Sequence, residues 1–223
     1  MLLERERELV VRYARRLHPD GLVVGTAGNL SVRSGSLTAV TPTSVDYDEL
    51  DPASIAVVNV GGLRIDGPLR PSSELPMHLA AYAARDTGAV VHTHSPYATA
   101  LATAGIELPP VHYLSADLGG NVRVAPYATF GSHELAEAVA EGLEGRNAVL
   151  LERHGTLTIG ETLERAYARA QTLEWLAALF VRASALGPLR PFDDEELELV
   201  AARLDGLRGE RGSVRRVRAA ATS

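Results

Sequence analysis

The chain has 223 residues, 46% of them hydrophobic, and a formal net charge of −6, so it can bury a substantial core and is poorly suited to general nucleic-acid binding. It has no cysteine, and all 22 basic side chains are arginine, which excludes disulfides, thiolate nucleophiles, lysine Schiff bases and the lysine of a P-loop. No run approaches the roughly 20 consecutive apolar residues of a membrane helix, and Met1 to Arg16 is too charged for a secretory signal, so a soluble, cytoplasmic protein with no membrane partner is expected.

Leu2, Leu3, Leu9, Val10, Tyr13, Ala14 and Leu17 recur at helical spacing and predict an amphipathic opening helix that ends near His18 to Gly21. Short apolar or alternating runs at 22–24, 30–33, 37–40, 55–60 and 63–65, separated by Gly, Ser, Pro and Asp, predict an antiparallel meander. Ser72, Ser73 and Glu74 open a helix that tolerates Pro76 in its first turn and stops before Gly88. A strand through His92 and His94 follows, then a helix from Pro96 to Gly105, a strand at 121–124 and a helix from Ser132 to about Gly142. Strands at 148–151 and 156–159 precede a long helix from Glu161 to about Leu186, and Asp193 caps a last helix to about Leu207. Residues 1–207 are expected to form one domain. Beyond them, residues 208–223, with Arg208, Arg211, Arg215, Arg216 and Arg218, read as a basic, mobile tail.

The candidate chemistry begins with His92 and His94. On a strand, residues i and i+2 share a face about 7 Å apart, a separation that suits two imidazoles on one metal ion and equally suits two ordinary strand histidines. His154 stands at the end of another apolar run, and three imidazoles with an open fourth position are a catalytic zinc arrangement. With cysteine absent, any zinc must be held by imidazole and carboxylate. With lysine absent, carbanion chemistry needs a metal or a borrowed cofactor as electron sink.

Four segments combine with these histidines: Gly25-Thr26-Ala27-Gly28-Asn29-Leu30-Ser31, Pro71-Ser72-Ser73-Glu74, the histidine pair itself, and Arg153-His154-Gly155. Together the chain resembles the zinc-dependent class II aldolase family, which includes L-fuculose-1-phosphate aldolase and L-ribulose-5-phosphate 4-epimerase. Thr41-Pro42-Thr43, Val111-His112-Tyr113, Gly119-Gly120-Asn121 and Ala125 to Gly131 bring the resemblance toward the fuculose-phosphate branch, and the matching segments run from about residue 25 to 160.

The resemblance implies a three-layer α/β/α fold with a central, mainly antiparallel sheet, and a homotetramer with interfacial active sites. It makes His92, His94 and His154 the ligands of one Zn²⁺ per subunit and Glu74 the catalytic acid/base. By position alone, Glu74 would equally serve as a first-turn acid at a helix N-terminus, worth about 0.3–1 kcal/mol. Thr26, Gly28, Asn29, Thr43, Ser44, Ser72 and Ser73 match the phosphate-binding positions, although Ser44 replaces an expected glycine and Ser72 and Ser73 could simply cap a helix. Tyr113 matches a tyrosine that reaches a neighbouring subunit's site and handles the proton on the aldehyde oxygen, and Phe130 an aromatic that shapes the aldehyde pocket. His18, His78, His112 and His133 are left to cap, pack or face solvent.

The implied reaction is reversible cleavage of a ketose 1-phosphate, such as L-fuculose 1-phosphate or a related deoxy sugar phosphate, to dihydroxyacetone phosphate and a short aldehyde such as L-lactaldehyde. The alternatives are a pentulose-phosphate 4-epimerase, a methylthioribulose-1-phosphate dehydratase, or a non-catalytic binding module. Nothing after Phe192 is aromatic, so closure over the aldehyde is expected to differ from enzymes that use an aromatic C-terminal segment.

Overall fold

A computed structural model describes the backbone of residues 1–220 and the side chains of residues 1–207. Its centre is an eight-stranded sheet in the order β4-β3-β2-β1-β5-β8-β7-β6. The strands are β1 Asn29–Ser34, β2 Leu37–Val40, β3 Ala56–Asn59, β4 Arg64–Asp66, β5 Ala89–Thr93, β6 Val124–Ala125, β7 Ala148–Leu151 and β8 Gly155–Gly160. Every pairing is antiparallel except β6 with β7. The helices are α1 Glu4–Ala14, α2 Leu75–Ala84, α3 Pro96–Ala104, α4 His133–Gly142, α5 Leu163–Ser184 and α6 Asp194–Ala220.

The layers follow from side-chain alternation along the strands. Ala89 and Val91 of β5 pack with Leu30 and Val32 of β1 against α1 and α5, while Val90 turns the other way, toward Met77 and Tyr82 of α2 and Leu135 and Val139 of α4. Thus α1, α3 and α5 cover one face and α2 and α4 the other. By the same period of two, His92 faces the α2 side with Val90. The register sets Asn29 opposite His92 on one flank and Leu157 on the other. This places the histidine at the end of a central strand, under the start of α2.

Three segments depart from the sequence-based expectation. Residues 22–24 form no strand, because Gly21, Gly25 and Gly28 all take positive φ and bend the chain after one pairing bond, from His94 N–H to the Leu22 carbonyl at 3.0 Å. The strand expected at 121–124 is displaced: Val122 bridges Leu108, and the ladder to β7 starts at Val124. The last helix passes Leu207 and runs to Ala220. The expected behaviour of the basic tail falls on side chains 208–223, which lie outside the described residues.

Candidate metal centre and active site

Three separate pieces of backbone deliver the three imidazoles. His92 is the penultimate residue of β5 and is completely buried. Its Nδ1–H donates to the Thr156 carbonyl of β8 at 2.8 Å, which leaves a lone pair on Nε2 pointing at the site. His94 lies just past the strand, where the chain is held by its bond to Leu22 and by the start of α3. There the Glu174 carboxylate accepts the Tyr97 and Ala98 N–H groups and caps the helix. His154 sits in the tight hairpin between β7 and β8, with its N–H bonded to the Leu151 carbonyl at 3.0 Å. That turn forces Arg153 to φ +52, a conformation that usually favours glycine.

Two glycines permit this convergence. A Cβ at Gly155 would lie 2.4 Å from the Thr93 carbonyl oxygen and 3.0 Å from the His94 ring. Gly28, at φ +84, would carry a Cβ 2.8 Å from the His92 carbonyl oxygen. Any larger residue at either position would push β1 or the hairpin away from the histidines.

The ring centroids of His92, His94 and His154 form a near-equilateral triangle with sides of 4.8, 4.9 and 5.0 Å. Glu74 closes the group, its Oε2 lying 3.2 Å from His92 Nε2 and its Oε1 3.0 Å from His154 Nε2. One donor atom from each of the four lies within 4.8 Å of every other. His92 Nε2 and His94 Nε2 are only 2.9 Å apart. Burial first, then the charges of His92 and His154, push the His94 pKa down to about 3, so this imidazole is neutral at ordinary pH. Neutral imidazole lone pairs aimed into one small space repel one another unless a cation lies among them, and this donor set fits a divalent metal such as zinc. Burial raises the Glu74 pKa, but the imidazoles of His92 and His154 outweigh it and hold the group below the usual carboxylate range.

A cleft of about 350 Å³ opens over these groups. It brings together Thr26, Gly28, Asn29, Thr43, Ser44, Ser72, Ser73, Glu74, His94, His154 and Phe130, so every site residue anticipated from the sequence lines it except His92 and Tyr113. His92 is buried within the cluster. Tyr113 begins a 3-10 turn, Tyr113–Leu118, is 47% exposed and packs on the His112 ring, and it does not reach the cleft of its own chain.

Ser44 takes φ +57, the left-handed geometry a glycine would adopt, so the turn survives the substitution. The Ser72 N–H is committed to the Thr41 carbonyl at 3.0 Å, and its hydroxyl accepts the Glu74 N–H at 3.2 Å. This fixes the backbone that aims Glu74; α2 starts only at Leu75, with Glu74 as its N-cap, so Ser72 braces the turn before the helix and does not cap it.

Sequence reading missed several residues here. Tyr47 is buried, and its phenol donates to the Gly28 carbonyl at 2.7 Å, with the Ala27 carbonyl at 2.9 Å, holding the 26–28 loop. Tyr127 and Arg153 also line the cleft, with the guanidinium 4.5 Å over the Tyr127 ring. His78, expected among the capping, packing or exposed histidines, packs fully buried in a polar network beside Glu74.

The sequence matches the family described as class II aldolase and adducin N-terminal domain over residues 8–181. It is 41% identical over 209 residues to a 5-deoxy-D-ribulose 1-phosphate aldolase of Bacillus thuringiensis serovar kurstaki, covering 92% of this chain and 98% of that protein. It is 41% identical over 195 residues to the L-fuculose phosphate aldolase of Escherichia coli strain K12, covering 85% of this chain and 90% of that protein. A solved L-fuculose 1-phosphate aldolase superposes with a TM-score of 0.88 at 38% identity, covering 90% of this chain and 96% of that one.

Proposed function

The chain belongs to the class II aldolase family and is an aldolase enzyme, and from that premise we propose that it is a zinc enzyme cleaving a deoxyketose 1-phosphate reversibly to dihydroxyacetone phosphate and a short aldehyde. The observation that carries this reading is the convergence of three imidazoles and one carboxylate in the cleft. The relatives act on 5-deoxy-D-ribulose 1-phosphate and L-fuculose phosphate by name, and the substrate proposed here is one of that pair or a similar deoxy sugar phosphate.

His92, His94 and His154 would hold the metal, which when bound would polarise the substrate's carbonyl and hydroxyl oxygens and stabilise the negative charge that develops on bond cleavage. Thr26, Thr43, Ser44 and Ser73 hold the phosphate with hydroxyl and backbone donors in place of the lysine the chain lacks. Gly28 and Asn29 shape that end of the cleft. As the C3–C4 bond breaks, the C4 hydroxyl proton leaves and the C4 carbon becomes the aldehyde. Tyr113 of a second copy accepts that proton as it passes its own phenolic proton to solvent, and the reverse relay serves synthesis. Glu74, a carboxylate at rest, takes up a proton and delivers it to C3 of the dihydroxyacetone phosphate half, ending as the carboxylate again. In synthesis Glu74 removes that proton. Phe130 flanks the aldehyde. A cytoplasmic homotetramer belongs to the same reading; the position of Tyr113 outside its own cleft supports a site shared between copies.

The test is a panel of L-fuculose, L-rhamnulose and 5-deoxyribulose 1-phosphates, with 5-phosphates as controls, assayed for dihydroxyacetone phosphate release alongside metal analysis. One 1-phosphate is expected to be cleaved, with about one zinc per subunit. Cleavage of none, or a metal-free protein with full activity, would overturn the reading.

A further inference from the structure

Glu74, His78 and Tyr82 stand at i, i+4 and i+8 at the start of α2 and along it, while Asn29 and Ser31 stand at i and i+2 on β1. Four helical residues rise about 6 Å and two strand residues about 6.6 Å, so the two stripes stay in step and their side chains interleave. Asn29 Nδ2 donates to Glu74 Oε2 at 2.9 Å. His78 Nε2 meets Asn29 Oδ1 at 2.5 Å, and His78 Nδ1 meets Ser31 Oγ at 2.7 Å. Ser31 Oγ in turn meets the Tyr82 phenol at 2.7 Å. None of the five residues is more than 8% exposed.

One boundary condition orders every proton in this series. The Glu74 carboxylate can only accept, so the Asn29 amide nitrogen faces it and the amide oxygen faces His78. That oxygen requires a proton on His78 Nε2. A neutral His78 then accepts at Nδ1, so the Ser31 hydroxyl donates to it and the Tyr82 phenol donates to Ser31. All four bonds run in one direction, toward Glu74 Oε2, and each polarises the next. Glu74 Oε1, by contrast, lies 3.0 Å from His154 Nε2 and has no well-aligned hydrogen-bond donor among the described residues.

The other stripe of the same helix shows what plain packing would look like. Leu75 and Leu79 meet Val40, Ala56 and Val58 in an all-apolar contact. Burying an imidazole, an amide, a hydroxyl and a phenol between helix and sheet costs free energy unless every bond is made, and this polar stripe terminates on the one carboxylate that faces the metal site. We propose that His78, with Ser31 and Tyr82 behind it, is a positioning residue for the reaction. The series locks Glu74 Oε2 as an acceptor through Asn29 and thereby reserves Oε1 as the oxygen that takes and returns the proton. This rests on the reading of Glu74 as the acid/base.

The test compares His78→Leu, His78→Gln, Tyr82→Phe and Glu74→Gln in the zinc-loaded enzyme, measuring kcat, KM and zinc per subunit on the best-cleaved ketose 1-phosphate. His78→Leu is expected to lower kcat about 10- to 100-fold, the scale on which a misplacement of 1 Å acts, with KM within about twofold and zinc unchanged. His78→Gln, whose amide can still donate toward Asn29, is expected to recover most of the loss. Tyr82→Phe, which removes a single oxygen and keeps the test open if His78→Leu does not fold, is expected to lower kcat about threefold. A silent Tyr82→Phe and His78→Leu beside an inactive Glu74→Gln would overturn the positioning role alone, as would zinc loss in step with activity. Wild-type cleavage by Glu74→Gln would overturn the acid/base reading and the positioning role together.

Discussion

The floor and the rim of the cleft are built on opposite principles. At the floor, His92, His94, His154 and Glu74 are fixed by backbone register, by two glycines that no larger residue could replace, and by a one-way series of buried hydrogen bonds. At the rim, Thr26, Ser44, Ser73, Tyr127, Phe130 and Arg153 are exposed, with Phe130 at 65%, and two of them, Ser44 and Arg153, hold left-handed backbone. Reaction type depends on where charge develops and needs groups held within fractions of an ångström. Substrate choice depends on surfaces that can be altered without disturbing that geometry. The relatives fit this division: two aldolases equally identical to this chain carry different sugar names.

The sharpest way to break the contrast is to remove a floor group. His154→Ala should abolish stoichiometric zinc binding and lower cleavage by at least about 100-fold, read by metal analysis and steady-state kinetics. Zinc held at wild-type stoichiometry would show that the triangle is not the metal site. Next comes acid. Burial, and then the charge of His92, push the buried His78 down to about 3, well below the reference value of about 6.5. The unfolded chain therefore binds more protons between those values. Its contribution to stability is complete above about pH 6.5 and is lost as pH falls toward 3. Urea midpoints of the metal-stripped protein should fall from pH 7 to pH 4, and the fall should be shallower in His78→Leu; parallel curves would contradict the burial argument.

Changes at the rim should be milder. Phe130→Ala should lower kcat/KM by about three- to tenfold, less than the roughly 10- to 200-fold of a buried apolar contact, and should alter the preference among aldehydes in the synthesis direction. The smallest effect is Ser44→Gly, which relieves left-handed strain and should stabilise the fold by about 1 kcal/mol, measured by denaturant unfolding with zinc content unchanged.

The floor was legible in the sequence because its signals are local. A histidine pair at strand spacing, a carboxylate at a helix start and a histidine after an apolar run each occupy a few consecutive residues. The rest needed tertiary information. Glu74, His78 and Tyr82 lie at i, i+4 and i+8, but the stripe means nothing until it meets Asn29 and Ser31, which are more than forty residues away. Tyr47 reaches the 26–28 loop from a short 3-10 turn, Tyr47–Glu49, which no periodicity marks. The apolar run Leu22 to Val24 has the hydrophobicity of a strand, but three glycines at positive φ, Gly21, Gly25 and Gly28, curl it. The apolar stripe of the last helix fades near Leu207, which marks an end in the sequence, although the helical backbone continues to Ala220.

The central claim is that the floor carries the proton transfer at C3, with Glu74 as the group that moves that proton. It can be tested without knowing the sugar, by incubating the zinc-loaded enzyme with dihydroxyacetone phosphate in D2O and following hydrogen exchange at its hydroxymethyl carbon by NMR. Wild type should exchange one of the two hydrogens stereospecifically, and Glu74→Gln with full zinc content should exchange it at least about 100-fold more slowly. Exchange at equal rates in the two proteins would contradict the account.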